Sequence, residues 1–209
     1  MRSSADPIVL HSASGYVVLQ TGREPLPQDA GRVLLPLARA AIAGELGIAH
    51  TARDDLSWLN QHGACFITVT EGANLRGCIG TLRPHRTLAE DVRANAVAAA
   101  FHDPRFKPLT REEFGTISLE ISVLSAMEAL TFADEQDALR QLRVGTDGVV
   151  FEYGHHSSTF LPQVWSNFKE PADFLANLKY KAGLPPDFWD RDVKLSRYTV
   201  SKWREADLG

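Results

Sequence analysis

The sequence predicts an α+β protein in which a mixed β-sheet is flanked by helices. Segments with helical spacing of apolar residues are interspersed with segments of alternating hydrophobicity, without a strict β-α order. One β-hairpin is recognisable, because two strand-like segments flank the turn residues 71–74 (EGAN). The 209 residues are 44% hydrophobic and 23% charged, which is ordinary for a globular chain with one substantial core or two modest lobes.

Composition narrows the classes of function. The chain has 22 basic and 26 acidic residues, a formal net charge of −4, so nothing attracts it generally to nucleic acid or to an anionic membrane, and we expect neither partner. Its two cysteines, Cys65 and Cys78, form no disulfide framework and no zinc or iron–sulfur ligand spacing. We therefore expect a cytoplasmic protein without a metal or another cofactor. No apolar run reaches the length of a signal-peptide core or a membrane span.

The beginning of the chain is predicted to differ from the rest. Residues 1–28 are rich in Ser, Gly and Pro, which favours an extension that is partly disordered or fixed at one point. We place the domain at residues 29–205. Apolar residues at helical spacing between Val33 and Ala41 predict the first helix, with Asp29 as its N-cap and Gly44 and Gly47 as stop signals.

The hairpin that follows has a register that can be predicted. Residues 65–70 are apolar and β-branched, and the second strand begins at Leu75. A turn centred on residues 72–73 pairs Thr70 with Leu75 and Ile67 with Cys78. This register would place Cys78 on the same face of the sheet as Arg76 and Cys65, unless a β-bulge intervenes.

The remaining elements follow from capping residues and periodicity. Thr87 and Glu90 form a capping box at the start of an alanine-rich helix that ends before Pro104. Residues 117–124 alternate as a strand with one buried face, and Glu120 lies on the more polar face. Further elements are predicted as helices at residues 134–143 and 170–183 and as strands at residues 149–153, 159–161 and 193–200.

The candidate site is the segment Leu75–Leu82, which places Arg76, Gly77, Cys78 and Gly80 in a strand. Glycine inside a strand often marks a bulge or a close approach of backbone or ligand. A cation beside a thiol favours the thiolate, so Cys78 is a candidate nucleophile or radical-accepting thiol. The alternative is a small buried hydrophobic residue, as free cysteine usually is.

Other candidate residues have two readings each. Arg76 and Arg105 either bind a carboxylate or phosphate, or form structural ion pairs with Glu120 or Asp103. Gln163 either positions a polar substrate or satisfies backbone groups in a turn.

Five motifs in order give the chain a resemblance to the AMMECR family, whose bacterial and archaeal members are called AmmeMemoRadiSam system protein A. The motifs are Leu75–Gly80 (LRGCIG), Asp103–Phe106 (DPRF), Ile117–Ser125 (ISLEISVLS), Phe160–Val164 (FLPQV) and Lys181–Leu184 (KAGL) with Trp189. The resemblance implies an α+β fold of a larger and a smaller lobe, with the Arg-Gly-Cys-Ile-Gly segment near a cleft. It also implies a Memo-like protein and a radical-SAM enzyme as partners, while the family's biochemical activity is not established.

One departure from the family and two functional hypotheses complete the interpretation. Many members carry Glu shortly after the Leu-Pro-Gln-Val motif, whereas Trp165, Ser166 and Asn167 follow it here.

The first hypothesis is a thiol-dependent modification enzyme with Cys78 as reactive group and Glu120 as acid or base. The second is a non-catalytic adaptor that binds a peptide or partner protein in the cleft.

If the candidate residues form one site, they should meet on one concave surface. The segments concerned are Arg76–Cys78, the strand carrying Glu120, and the turn Asp103–Phe106.

Overall fold

A computed structural model describes residues 26–208 together with the backbone of residues 10–12 and 15–17. The α-helices are α1 (Gly31–Glu45), α2 (Leu88–Val97), α3 (Glu135–Gln141) and α4 (Pro171–Lys181). A π-helix spans Ala98–His102, and short 3₁₀ helices span Ser57–Asn60, Glu113–Gly115, Pro162–Asn167 and Glu205–Asp207. The prediction for residues 1–28 falls mostly outside the described residues.

Twelve strands are described, and each strand pair among them is antiparallel. They are β1 (Leu10–Ser12), β2 (Gly15–Val17), β3 (His62–Gly63), β4 (Cys65–Glu71), β5 (Asn74–Gly80), β6 (Arg86–Thr87), β7 (Ile117–Leu124), β8 (Glu128–Ala129), β9 (Gly148–Tyr153), β10 (His156–Phe160), β11 (Lys194–Tyr198) and β12 (Val200–Arg204). The α+β class is confirmed. In place of a mixed sheet, the chain forms separate antiparallel sheets, because hairpins and returning strands connect neighbours without a parallel crossover.

The larger lobe is a four-stranded sheet covered on one face by helices. The strand order is β12-β7-β4-β5, and α1 and α2 pack on the face formed by alternate residues such as Ile67, Leu119 and Ile121. The first helix begins after Ala30, without a side-chain cap, rather than at the predicted cap Asp29. At its first residue, Gly31, an added Cβ would lie 2.5 Å from the Trp203 ring, so close packing against β12 fixes the start of the helix.

The second helix begins as predicted and carries a buried polar network. Thr87 accepts from the Glu90 amide and the Glu90 side chain accepts from the Thr87 amide, which confirms the capping box. Asp91 is fully buried, and its carboxylate accepts hydrogen bonds from the Cys65 amide at 2.8 Å and from Arg86 Nε at 2.8 Å. This network ties the helix to the start of β4.

The smaller lobe is inserted between two neighbouring strands of the larger sheet. Residues 125–199 leave the sheet after β7 and return at β12, and they form a second sheet of order β10-β9-β11-β8 that packs against α3 and α4. The two connections are bonded to each other, since the Ser125 amide donates to the Thr199 carbonyl at 2.9 Å. The predicted strand 193–200 therefore corresponds to β11 and reaches only the first residue of β12, because the chain passes from one sheet to the other at Thr199.

The lobes share a small apolar cluster. The larger lobe contributes Ala64, Leu124, Phe66, Leu82 and Val200, and the smaller lobe contributes Val150, Tyr198, Met127 and Leu161. This cluster lies at one end of the sheet face opposite to the helices, so the smaller lobe stands over that end and leaves the rest of the face uncovered by either core.

Candidate functional site

The hairpin β4–β5 contains a bulge that changes the face on which Cys78 lies. Thr70 pairs with Leu75 as predicted, but Val69 pairs with Gly77, so Arg76 is the extra residue of β5. Cys78 consequently pairs with Thr68 rather than with Ile67. The prediction that Cys78 shares a face with Cys65 is wrong, because the extra residue shifts the alternation by one.

Cys78 instead belongs to a sheet face that we call the polar face. Two rows of side chains cross the four strands there in the order β12-β7-β4-β5. The outer row is Arg204, Glu120, Thr68 and Cys78; the inner row, next to the smaller lobe, is Lys202, Ser122, Phe66 and Gly80. We use cleft for the corner where the smaller lobe meets this face.

The Cys78 thiol is half-buried, and its backbone is held from outside the sheet. The Thr68 hydroxyl donates to Cys78 Sγ at 3.5 Å. On the other side of β5, the Cys78 amide donates to Asp103 Oδ2 at 2.9 Å, and Arg105 Nη2 donates to the Cys78 carbonyl at 3.3 Å. Asp103 and Arg105 thus occupy the position of a neighbouring strand and protect the sheet edge.

Asp103 and Arg105 also bind each other, as the ion-pair reading predicted. Arg105 Nη2 lies 2.6 Å from Asp103 Oδ2, and the Asp103 side chain is 2% exposed. The hydrogen bonds from Arg105 hold the pKa of the Asp103 carboxyl well below its usual range, although burial acts in the opposite direction. The pair therefore remains charged at neutral pH and fixes the Cys78 backbone.

Arg76 serves the same edge further along the strand. Its guanidinium donates to both oxygens of Glu113, at 2.8 and 3.1 Å, and to the carbonyls of Lys107 and Pro108. The hydrogen bond from Arg76 is the main reason that the pKa of Glu113 is lowered to about 2. The partner is neither Glu120 nor Asp103, the two acids suggested by the sequence, and the arginine points away from the polar face.

The two glycines of the motif admit close neighbours. A Cβ on Gly77 would lie 1.9 Å from the carbonyl oxygen of Ala99, in the π-helix, and a Cβ on Gly80 would lie 2.2 Å from the Phe66 ring. π-Helical turns are rare and occur often at functional sites. Here the turn brings the helix backbone against β5 directly beside Cys78.

Glu120 is an ionised carboxylate between two cations. Lys202 Nζ lies 2.8 Å from one of its oxygens and Arg204 Nε lies 2.6 Å from the other. Burial alone would raise the pKa of Glu120, but the hydrogen bonds from Lys202 and Arg204 lower it overall. Two strand spacings, about 10 Å, separate the backbone positions of Glu120 and Cys78, with Thr68 between them.

Gln163 lies in the smaller lobe at the start of a 3₁₀ helix. Its side chain is exposed, and its carbonyl accepts a hydrogen bond from the Ser166 hydroxyl at 2.9 Å. Leu161, two residues before Gln163, packs in the cluster shared by the lobes, so the Leu-Pro-Gln-Val motif lies at the wall of the cleft.

The structure adds four residues to the site that sequence reasoning did not select: Thr68, Ser122, Lys202 and Arg204. Thr68 and Ser122 are visible in the alternation of their strands. Lys202 and Arg204 become visible only once residues 200–204 are known to return to the first sheet, which the predicted strand ending at residue 200 concealed.

The described residues contain neither a group of metal ligands nor a membrane-spanning helix. Within residues 26–208, no three or more His, Cys, Asp or Glu side chains are grouped so that they would hold a metal ion. None of the helices in this part of the chain is long and apolar enough to cross a membrane.

Comparison with known proteins decides the family. Residues 35–203 match the family model named AMMECR1. The chain belongs to the AMMECR1 family. A protein of Methanothermobacter thermautotrophicus is 38% identical over 186 residues, which cover 87% of this chain and 97% of the relative. A protein of Methanocaldococcus jannaschii is 36% identical over 152 residues, 71% of this chain and 76% of the relative.

A solved structure shares the fold of this AMMECR1 family member. The crystal structure of the uncharacterized protein PH0010 from Pyrococcus horikoshii is 34% identical in sequence, with a TM-score of 0.74. The match covers 86% of this chain and 93% of that protein. Because the smaller lobe is 75 residues long, a match of this extent includes both lobes.

Proposed function

We propose that this AMMECR1 family member is a cytoplasmic component of an AmmeMemoRadiSam-type system, in which it acts with a Memo-like protein and a radical-SAM enzyme. In this proposal Cys78 is the reactive group of a thiol-dependent modification. Family membership and the Arg-Gly-Cys-Ile-Gly motif support the assignment to the system.

The placement of Cys78 carries the chemical part of the proposal. Reactive cysteines are partly exposed and lie near groups that stabilise the thiolate, whereas structural cysteines are sealed and inert. Cys78 is half-buried on the polar face, receives a hydrogen bond from Thr68 and has the Arg105 guanidinium at its carbonyl. Cys65 shows the opposite environment, because it is fully buried and burial raises the pKa of its thiol well above the ordinary value.

The other residues have distinct roles in this proposal. Asp103 and Arg105 are positioning residues that fix the Cys78 backbone, and Arg76 anchors the segment that carries them. Glu120 is too far away to take the Cys78 proton directly, so it orients a substrate that extends from the thiol across Thr68.

Alkylation tests the thiol. We expect Cys78 to react with iodoacetamide at neutral pH faster than glutathione does, while Cys65 stays unmodified. Thr68→Val keeps the side-chain shape but removes the hydroxyl donor, and should slow the reaction. Cys78→Ser supplies the background rate. A Cys78 rate equal to that of glutathione and insensitive to Thr68→Val would remove the reactive-thiol role.

An adaptor is the second candidate, favoured by one observation. Arg76 and Arg105 are both paired with acids of the fold, and Glu120 is paired with two cations. Among the described residues, the side chain hydrogen-bonded to the thiol is Thr68, which is not a base. The polar face then serves as a recognition surface for a peptide or the Memo-like protein. Cys78→Ala separates the candidates: unchanged pathway output favours the adaptor, whereas lost output with intact partner binding favours chemistry.

A further inference from the structure

Ser122 differs from the other buried polar side chains of the described residues. Seven polar or charged residues between 26 and 208 are buried, and six of them have hydrogen-bond partners for their side chains: Asp91, Asn95, Asp103, Asp147, Ser158 and Lys179. Ser122 is only 6% exposed, yet its hydroxyl has no partner in this part of the chain. A buried polar group without a partner calls for an explanation such as a bound molecule.

The Ser122 hydroxyl lies on the polar face, in the inner row next to the smaller lobe. Its strand neighbours are Lys202 on β12 and Phe66 on β4, and directly opposed side chains start about 5 Å apart. The next residue on this face of β7, Leu124, is already part of the apolar cluster shared by the lobes. Ser122 is therefore the last polar group before the smaller lobe covers the sheet.

The charges around this hydroxyl favour an anion. Lys202 and Arg204 each contact Glu120, and Asp207 also acts on Arg204, so Lys202 is the cation directly opposite Ser122 in the strand pairing. The Lys202 side chain is 33% exposed, and its ammonium group has three N–H donors, of which the contact with Glu120 Oε1 uses one. One hydroxyl donor and one ammonium donor suit the two oxygens of a carboxylate, whereas a phosphate dianion needs more donors and charge.

We infer that Ser122 and Lys202 form a subsite that binds a carboxylate group of the substrate or partner. The inference rests on the proposed function, because the subsite would hold the same substrate or partner on the same sheet face. Two strand spacings and two residues along the strand separate Cys78 from Ser122, about 12 Å between backbone positions. A molecule reaching both is as long as three to four residues of extended peptide, with a carboxylate at the end away from the thiol.

Binding of acetate alone tests the subsite without requiring the full substrate. We would titrate the isotopically labelled protein with acetate at constant ionic strength and follow backbone amide shifts by NMR. Acetate should give saturable shifts at Ser122 and Lys202, acetamide should give none, and inorganic phosphate should bind more weakly. Ser122→Ala removes a hydrogen bond to a charged group, so it should weaken acetate binding at least about tenfold.

Two control variants keep the outcomes distinct. Ser158→Ala removes a buried hydroxyl from the smaller lobe and should leave acetate binding unchanged. Cys78→Ser lacks the thiol and should still bind acetate like the wild type. The subsite and the thiol chemistry are therefore tested separately: slow alkylation of Cys78 would defeat the proposed chemistry and leave the subsite standing. Linear shifts without saturation, equal shifts with acetamide, or unchanged binding in Ser122→Ala would each overturn the subsite.

Discussion

Replacing Ser122 by alanine should stabilise the protein, although most substitutions of buried residues do the opposite. A buried hydroxyl without a partner costs about 1–3 kcal/mol. Ser122 is 6% exposed at the rim of the cleft, so solvent reaches it in part and the lower end of that range applies. We expect the free energy of unfolding to rise by about 1 kcal/mol in Ser122→Ala.

Ser158 provides the matched control. It is 8% exposed, but its hydroxyl donates to the Leu178 carbonyl at 2.6 Å. Ser158→Ala removes this bond, while the carbonyl keeps a second donor, the Ala182 amide at 3.1 Å. Because no group is left without a partner, the loss should be about 1 kcal/mol rather than more. The free energies of unfolding of the two serine variants should therefore change in opposite directions and differ by about 2 kcal/mol.

Thermal unfolding measures both serine variants under the same conditions. For a chain of this size, 1 kcal/mol shifts the midpoint by about 2–4 °C, so Ser122→Ala should melt above the wild type and Ser158→Ala below it. Equal destabilisation by both substitutions would refute the reasoning, because it would mean that the Ser122 hydroxyl is hydrogen-bonded in the fold.

Two further predictions concern the edge of the sheet. Gly77→Ala should destabilise by at least about 2 kcal/mol in urea unfolding, because its Cβ would lie 1.9 Å from the Ala99 carbonyl oxygen, whereas Gly115→Ala, with nothing within 4 Å, should change little. Because the pKa of Glu113 is lowered in the folded protein, its pair with Arg76 contributes its full stability when the pH is above the unfolded pKa of 4.5. This stability is lost as the pH falls from 4.5 towards the folded pKa of about 2. Glu113→Gln should flatten the dependence of the unfolding midpoint on pH over that range, and an unchanged slope would contradict the pairing.

Local signals in the sequence were sufficient for several elements. The capping box of Thr87 and Glu90 fixes the start of α2, and Asp134 caps α3 by accepting from the Asp137 amide at 2.7 Å. These contacts join residues three apart, so the sequence displays both partners together. The same holds for the turn that pairs Thr70 with Leu75.

The sequence did not reveal features that depend on distant partners. The bulge at Arg76 accompanies contacts with Glu113 and the Lys107 carbonyl, more than thirty residues away, as the separations of 37 and 31 positions show. Without the bulge, the strand pattern places Cys78 on the wrong face. The contribution of β12 to the polar face was missed for a similar reason, since about 75 inserted residues (125–199) separate it from β7.

The contacts of Cys78 join two of the sequence motifs, Leu75–Gly80 and Asp103–Phe106, into one unit. An edge strand presents unpaired N–H and C=O groups, and β5 is such an edge. Asp103 accepts from the Cys78 amide and Arg105 donates to the Cys78 carbonyl, so two side chains of one turn replace an entire strand at this residue. A neighbouring strand would have required a further pairing surface, whereas the turn ends the sheet beside the thiol and leaves the polar face open. The Arg-Gly-Cys-Ile-Gly and Asp-Pro-Arg-Phe motifs thus act together: the second fixes the position of the thiol that the first carries.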